Sequence, residues 1–269
     1  VFDIIGDVHG CFDEFKKLTI ALGYAWVSDI PVHPQDRRLI FVGDITDRGP
    51  QSVKMIELTV KLVNEGKALY VPGNHCNKLY RYMQGRKVQI IHGLETTVHE
   101  LTLLSPARRM AVSSGFIHLY EQSNLLLRLD NERLIVCHAG IKASDLTRPI
   151  DKKLRSILLY GYTTGRTDEQ GHPERLDWAK DYQGKPWIVY GHTPVTVPRW
   201  VNHTLNLDTG CVFGGALSAL RYPEMLTCSV PSSMPKMPEH FRAFPEQETY
   251  LQAVPCPVDR PHANGSIDR

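Results

Sequence analysis

Five short apolar runs recur through the first 190 residues, at positions 2–5, 39–42, 69–71, 134–137 and 187–190. Each run is continuous and not alternating, which predicts strands covered on both faces. Between the first two, Phe15, Leu18 and Leu22 fall at helical spacing. Between the second and third, Val53, Ile56, Val60 and Val63 do the same, with Pro50 suited to a first helical turn. Strands alternating with helices predict an α/β fold that opens with two βαβ units. Residues 94–123 read as helical, broken into two helices at Pro106. Residues 161–184 are polar and Gly-rich and are expected to form a long irregular loop. Positions 205–207, 216–220 and 225–230 are expected to be shorter strands of a second sheet. Eight of the 18 prolines then fall between Pro223 and Pro261. The body, residues 1–232, is therefore expected to give way to a Pro-rich, loosely ordered tail at 233–269.

The chemistry lies at the carboxyl end of each run. The first ends in Gly6-Asp7-Val8-His9-Gly10 and the second in Gly43-Asp44, then Asp47-Arg48-Gly49. The third ends in Pro72-Gly73-Asn74-His75, the fourth delivers His138, and the fifth delivers Gly191-His192. In α/β sheets the crevice beyond the carboxyl ends of the strands is the binding site. Five such endings are thus expected to meet at one sheet edge. A single Asp-x-His-Gly is ordinarily a capped turn, but caps need no imidazoles, and the set as a whole points to metal ligation. Two carboxylates, three imidazoles and an amide, from Asp7, Asp44, His9, His138, His192 and Asn74, would be costly to desolvate unless cations offset them. The O/N donor set suits Mn, Ni, Co, Fe or Zn, and Asp44, from a central strand, is the natural bridge between two ions. A metal pair about 3.5–4 Å apart would acidify a shared water.

Length and charge set the limits. The chain has 269 residues, 42% of them hydrophobic, and a formal net charge of +2. That is enough for one large α/β domain, and the balanced charge argues against a dedicated nucleic-acid surface. No stretch is long and apolar enough for a membrane span, and the first residues lack the features of a signal peptide. The expectation is a soluble, cytoplasmic protein whose six scattered cysteines, with no Cys-x-x-Cys pair, are reduced. No Gly-x-x-x-x-Gly-Lys-[Ser/Thr] loop occurs, which argues against an ATP-driven kinase.

The three blocks Gly6-Asp7-Val8-His9-Gly10, Gly43-Asp44 through Asp47-Arg48-Gly49, and Gly73-Asn74-His75 resemble the phosphoprotein-phosphatase branch of the calcineurin-like metallophosphoesterases. His138, Gly191-His192 and Asp208-Thr209-Gly210 continue the match, which covers residues 1 to about 230. The resemblance implies a β-sandwich of two mixed sheets flanked by helices. It implies one metal on Asp7, His9 and Asp44 and a second on Asp44, Asn74, His138 and His192. Where the eukaryotic-type Ser/Thr phosphatases carry Glu after Gly-Asn-His, this chain has Cys76-Asn77-Lys78-Leu79-Tyr80-Arg81. That run, with His92-Gly93-Leu94-Glu95-Thr96-Thr97 and the block from Asp208 to Gly214, is similar to the bacterial PrpE-type bis(5'-nucleosyl)-tetraphosphatases. The phosphatase module of bacterial polynucleotide kinase–phosphatases is also similar. The implied reaction is hydrolysis of diadenosine tetraphosphate to ATP and AMP with two divalent ions, manganese first. A protein phosphatase or RNA-end phosphatase is the alternative, and a non-enzymatic scaffold is disfavoured because every expected ligand is present.

The expected roles come from these positions. Arg48 would grip phosphoryl oxygens, and Asn74 would reach the phosphoryl group as well as a metal. His75 would protonate the leaving oxygen with Asp47 orienting it. Asp208 is expected to orient a metal ligand from behind. Lys78, Arg81, Arg86 and Lys87, with Tyr80 and Tyr82, are read as a solvated helix face, with contact to substrate as the alternative. His92, His99, His118, His172, His203 and His240 receive no role.

Overall fold

The computed structural model describes residues 1–167 and 173–244. In chain order the strands are β1 (Phe2–Ile5), β2 (Ala25–Val27), β3 (Ile30–Val32), β4 (Arg38–Phe41), β5 (Ala68–Tyr70), β6 (Leu126–Leu129), β7 (Leu134–Cys137), β8 (Thr163–Thr167), β9 (Pro173–Arg175), β10 (Trp187–Tyr190), β11 (Arg199–Val201), β12 (Thr204–Asn206), β13 (Ala216–Tyr222) and β14 (Leu226–Pro231). The helices are α1 (Phe12–Ala21), α2 (Ser52–Asn64), α3 (Asn74–Met83), α4 (Leu94–Thr102), α5 (Pro106–Gln122) and α6 (Lys152–Tyr160).

Two five-stranded mixed sheets, ordered β14-β13-β1-β4-β5 and β11-β12-β10-β7-β6, form a sandwich. Ile4, Ile40, Val42 and Leu220 of the first meet Leu134, Val136, Val189 and Leu205 of the second in one buried cluster. The next residues along the same strands turn outward. Ile5, Leu39 and Phe41 pack under helices with Phe15, Leu18, Ile56 and Phe116, while Ile135, Cys137, Ile188 and Tyr190 pack with Leu154, Leu158 and Trp178. The continuous apolar runs are therefore the signature of strands buried on both faces, as expected. The break at Pro106 falls where Ser105 caps α5, its hydroxyl accepting from the Arg108 N–H at 3.4 Å.

Three expectations need correction. The late strands do not share one sheet: β12 pairs in parallel with β10, whereas β13 pairs antiparallel with β1, with Ile4 opposite Leu220, and carries β14 into the first sheet. Partner choice is non-local, and no local pattern encodes it. The expected loop at 161–184 contains the hairpin β8–β9 and a short 3-10 turn at Trp178–Asp181 that buries Trp178; residues 168–172 of that stretch lie outside the described residues. Finally, Cys11, Cys76, Cys137 and Cys211 are buried free thiols, but Cys228 is disulfide-bonded.

The chain beyond Ser232 continues to pack. Ser233 bonds Glu14 through both its N–H and its hydroxyl, Met234 and Phe241 lie on the main core, and the Arg242 N–H donates to Pro194 O at 2.8 Å. The expected boundary at 232 falls within this packed segment, and the rest of the expected tail, 245–269, lies outside the described residues. Among the described residues no helix is long and apolar enough to cross a membrane.

Candidate metal centre

Six strands run parallel within their sheets, β1, β4 and β5 in one and β7, β10 and β12 in the other. Asp7, Asp44 and Asn74 come just after the first three, and His138, His192 and Asp208 just after the second three. The expected residues do meet, but at the adjoining edges of two sheets and not at one. The turns that aim them are strained: His9, Asp44, Asp47, Arg48 and His192 all have positive φ, between 38° and 73°. Such backbone persists only where the surroundings enforce it.

Asp44 is the hub. Its Oδ2 lies 3.2 Å from His138 Nε2 and 4.0 Å from His9 Nε2, while its Oδ1 accepts the His75 N–H at 2.9 Å. That N–H belongs to the first turn of α3, so the helix N-terminus also favours the carboxylate. Two clusters of closely spaced donor atoms share Asp44, His9–Asp44–His75 and Asp44–His138–His192; in the first, the His75 ring is engaged by Asp47 instead. Each flanking imidazole is fixed from behind: His9 Nδ1 bonds Thr46 O at 2.8 Å and His138 Nδ1 bonds Val42 O at 3.0 Å. In each case the Nδ1 N–H donates to the carbonyl, which turns Nε2 toward the site. Asn74 Oδ1 and His192 Nδ1 approach His138 Nε2 at 3.0 and 3.1 Å.

Asp7 accepts the His192 N–H through Oδ2 at 3.1 Å, but its buried Oδ1 has no hydrogen-bond partner among the described residues. Close packing leaves room for nothing but glycine beside these carboxylates. A Cβ on Gly191 would stand 2.0 Å from Asp7 Oδ1, and one on Gly73 would stand 2.2 Å from Asp44 Oδ1.

The electrostatics match a cation cage. Burial, then Asp208, pushes the Asp7 carboxyl well up. Burial also opposes the charge on Asp44, but His138 and His75 outweigh it and hold Asp44 well below the usual carboxylate range. His138 rises to about 9: burial opposes this, and the Asp44 and Asp7 carboxylates overcome it. Burial, with Arg48 and His75 nearby, keeps His9 well below the usual imidazole range, and burial with His138 does the same for His192. Neutral imidazoles at His9 and His192, a His138 drawn into charge only by the crowded carboxylates, and an orphaned carboxylate oxygen make a donor set that divalent ions satisfy. The residues present fit such a pair.

A second cluster adjoins the cage. His75 Nδ1 bonds Asp47 Oδ2 at 2.8 Å, and its ring sits edge-on to His9 at 4.9 Å. Asp47 is fully buried and its Oδ1 accepts the Thr97 hydroxyl at 2.6 Å, while its N–H reaches Thr97 Oγ1 and Ser52 Oγ. Arg48 approaches His9 Nε2 at 3.2 Å and lies over the Phe213 ring, 5.1 Å from its centroid. Phe213 is stacked in turn on His240, with centroids 4.1 Å apart. Thr97, Phe213 and His240 carry structure here that the strand-end pattern did not reveal. Thr97 and Phe213 lie in the blocks 92–97 and 208–214, but His240 sits in the expected tail and has no sequence signal.

Asp208 lies behind Asp7. Burial raises it to about 6, and its Oδ1 accepts the Gly210 N–H at 3.1 Å. Among the described residues it makes no hydrogen bond to a candidate ligand; its influence is the charge it directs at Asp7. Lys78 stands near the dyad, bonded to Ile91 O, and Asp47 and Glu95 act on its charge. Arg81, Arg86 and Lys87 are exposed, Tyr80 stacks on Tyr120 at 4.2 Å, and Tyr82 leans on the core.

A sandwich whose two sheet edges offer imidazoles to either side of one carboxylate, with an Asp–His pair and an arginine alongside, defines a class: the metal-dependent phosphoesterases. The chain belongs to the calcineurin-like phosphoesterases, a family matched over residues 1–218. It is a hydrolase of phosphate bonds, and the family implies a dinuclear site for divalent metals. It is 58% identical over 242 residues to the asymmetrical bis(5'-nucleosyl)-tetraphosphatase PrpE of Geobacillus sp. (strain WCH70), covering 90% of this chain and 98% of that one. It is 59% identical, over the same shares, to the protein of that name from Bacillus cereus (strain ATCC 10987 / NRS 248). Among solved structures, a protein provisionally named a diadenosine tetraphosphatase is similar in fold, with a TM-score of 0.61 at 24% identity, covering 86% of this chain and 93% of that one.

Proposed function

We propose that the chain is an asymmetrical bis(5'-nucleosyl)-tetraphosphatase that hydrolyses diadenosine tetraphosphate to ATP and AMP. The position of Asp44 between His9 on one side and His138 with His192 on the other carries the dinuclear reading. The identity to PrpE proteins over nearly their whole length supports the substrate. Asp7, His9 and Asp44 would hold one ion, and Asp44, Asn74, His138 and His192 the other. Manganese suits these O/N donors, as do nickel, cobalt, iron and zinc. When bound, the pair supplies charge compensation at phosphorus and an acidified water.

The remaining work falls to the chain itself. Arg48, held in place by Phe213, would bind phosphoryl oxygens with its planar fork and offset the charge that develops on them. The Asn74 amide nitrogen remains available to the same group while its oxygen faces the metal side. His75, its Nδ1–H held by Asp47, presents Nε2 to the leaving oxygen, and a proton there would complete departure of the polyphosphate. A small-molecule dinucleoside polyphosphate substrate supports action in the cytoplasm.

Product chromatography tests the reading. Manganese-loaded enzyme is offered diadenosine tetraphosphate, a phosphopeptide and a 2',3'-cyclic nucleotide. Equal ATP and AMP are expected from the first. Two ADP would make the cleavage symmetrical, and turnover of only the phosphopeptide or cyclic nucleotide would replace the proposal.

A further inference from the structure

Beside the metal centre, on the His192 side, α6 and strands β8 and β9 line an open cavity of ≈ 430 Å³ with Lys153, Ile157, Tyr160, Tyr162 and Arg175, among others. Its wall touches the centre. Gly161, which lines it, would place a Cβ 3.8 Å from His192 Cδ2 and 3.8 Å from the Cβ of Ala139, the residue after His138. Tyr160 reaches the same half-site on its α3 side: its hydroxyl accepts from Nδ2 of Asn77 at 3.5 Å, one turn along that helix from Asn74. The volume lies within the usual range for one small ligand. A larger cavity of ≈ 660 Å³, lined by Phe12, Trp26 and Lys54, has no candidate ligand or catalytic residue in its wall.

The lining is selective in kind. Tyr160 is 37% exposed, an aromatic surface presented at the cavity and not consumed by the core. Arg175 donates to Tyr160 O and makes no ion pair with a carboxylate among the described residues. A second guanidinium stands close by, for Arg242 donates to Arg175 O at 2.9 Å. Burial, and then Arg242, pulls the Arg175 guanidinium below its ordinary range. Arg175 and Lys153 thus give the cavity a cationic rim, beside a Tyr160 ring that has no stacking partner among the described residues.

The geometry points to a nucleoside subsite: one adenosine end of the substrate sits in this cavity, its base on Tyr160, its first phosphates against Arg175, and the rest of the polyphosphate leads past His192 toward Arg48. This rests on the proposed dinucleoside polyphosphate activity and adds where one end of that substrate is held. A base has two apolar faces and a phosphate several negative oxygens, so ring and guanidinium together recognise a nucleotide better than either alone.

Kinetics of the metal-loaded full chain test it, with diadenosine tetraphosphate and p-nitrophenyl phosphate as substrates. Tyr160→Ala is expected to raise KM for the dinucleotide roughly 5- to 150-fold, the range that loss of one stacked base implies. p-Nitrophenyl phosphate, which has no nucleoside, is expected to escape that loss, and Tyr160→Phe is expected to keep the wild-type KM. Equal effects on both substrates, or none, overturn the subsite. Photo-crosslinking with 8-azido-ATP supplies a readout independent of turnover. Label is expected on peptides spanning 153–175 and is expected to fall in Tyr160→Ala at unchanged thermal midpoint. Label at Phe12, Trp26 or Lys54 instead would also overturn it. If wild-type enzyme leaves diadenosine tetraphosphate uncut, the functional proposal fails, while the crosslink still decides whether the cavity holds a nucleotide.

Discussion

Asp44 and His75 occupy adjoining turns, yet their substitution should separate two functions. Asp44→Asn removes the charge that both ligand groups share, so bound metal, read by elemental analysis after gel filtration, is expected to fall from two ions per chain to one or none. Retention of both ions with full turnover would exclude the bridging role. His75→Ala leaves the Asp44 carboxylate and both flanking imidazoles in place, so the metal content is expected to hold. Its rate loss should depend on the leaving group: about 100-fold or more on alkyl phosphates, the scale of a lost general acid, and far less on activated aryl phosphates. Equal slowing of both would count against proton donation. Thr97→Val deprives the fully buried Asp47 of the 2.6 Å hydroxyl contact. A buried acceptor left short of a partner costs about 1–3 kcal/mol. The expected result is a lower thermal midpoint and a His75-like leaving-group dependence, with metal content unchanged. The Asp47–His75 pair is legible from sequence because both residues end apolar runs. The role of Thr97 is not, since a threonine within a helix has no pattern of its own.

Helices α2, α3 and α4 fix the catalytic turns through their ends. Glu100 of α4 accepts the Ser52 and Val53 N–H groups at 2.7 and 3.0 Å, capping α2 with a residue 48 positions away along the chain. Gly93, just ahead of α4, has φ +95° and accepts the Arg48 N–H at 2.9 Å. A Cβ there would stand 2.2 Å from Arg48 Cγ. Gly93→Ala therefore strains the backbone and displaces the arginine at once. The expected outcome is a kcat/KM loss of about 10- to 100-fold, equivalent to ~1.4–2.7 kcal/mol, with metal content unaffected. An unchanged kcat/KM would show that Arg48 needs no support from this turn. Sequence periodicity locates these helices, but capping by a distant glutamate and seating of Arg48 by a glycine are contacts between segments.

The fold closes over its own C-terminal segment. Between Ser233 and Phe244, Met234 and Phe241 pack on the main core, and Arg242 and Arg199 both lie against the Phe244 ring, at 4.7 and 3.7 Å. Phe241 fills the space beside Gly210 and Gly215, where a Cβ would stand 2.4 and 2.9 Å from its ring. His240 supports Phe213 and through it Arg48. A chain ending at 232 is thus expected to unfold at a lower temperature than one ending at 244. Loss of one buried aromatic alone costs about 3–5 kcal/mol, or roughly 6–20 °C in a domain of this size. Equal midpoints by calorimetry would place the boundary where the sequence suggested.

By itself the sequence determined which segments are doubly buried strands and which residues come at their ends, because an apolar run and the polar residue that closes it are neighbours along the chain. That was enough to gather Asp7, His9, Asp44, Asn74, His138 and His192 into one set and to imply the two-metal chemistry. Only the tertiary structure decided that these strands divide between two sheets, that β13 and β14 extend the first, and that the segment after Ser232 packs beneath Arg48. Pairing and packing join residues as far apart as Ile4 and Leu220. Their energy depends on which surfaces remain after the rest has folded, and no local pattern records that.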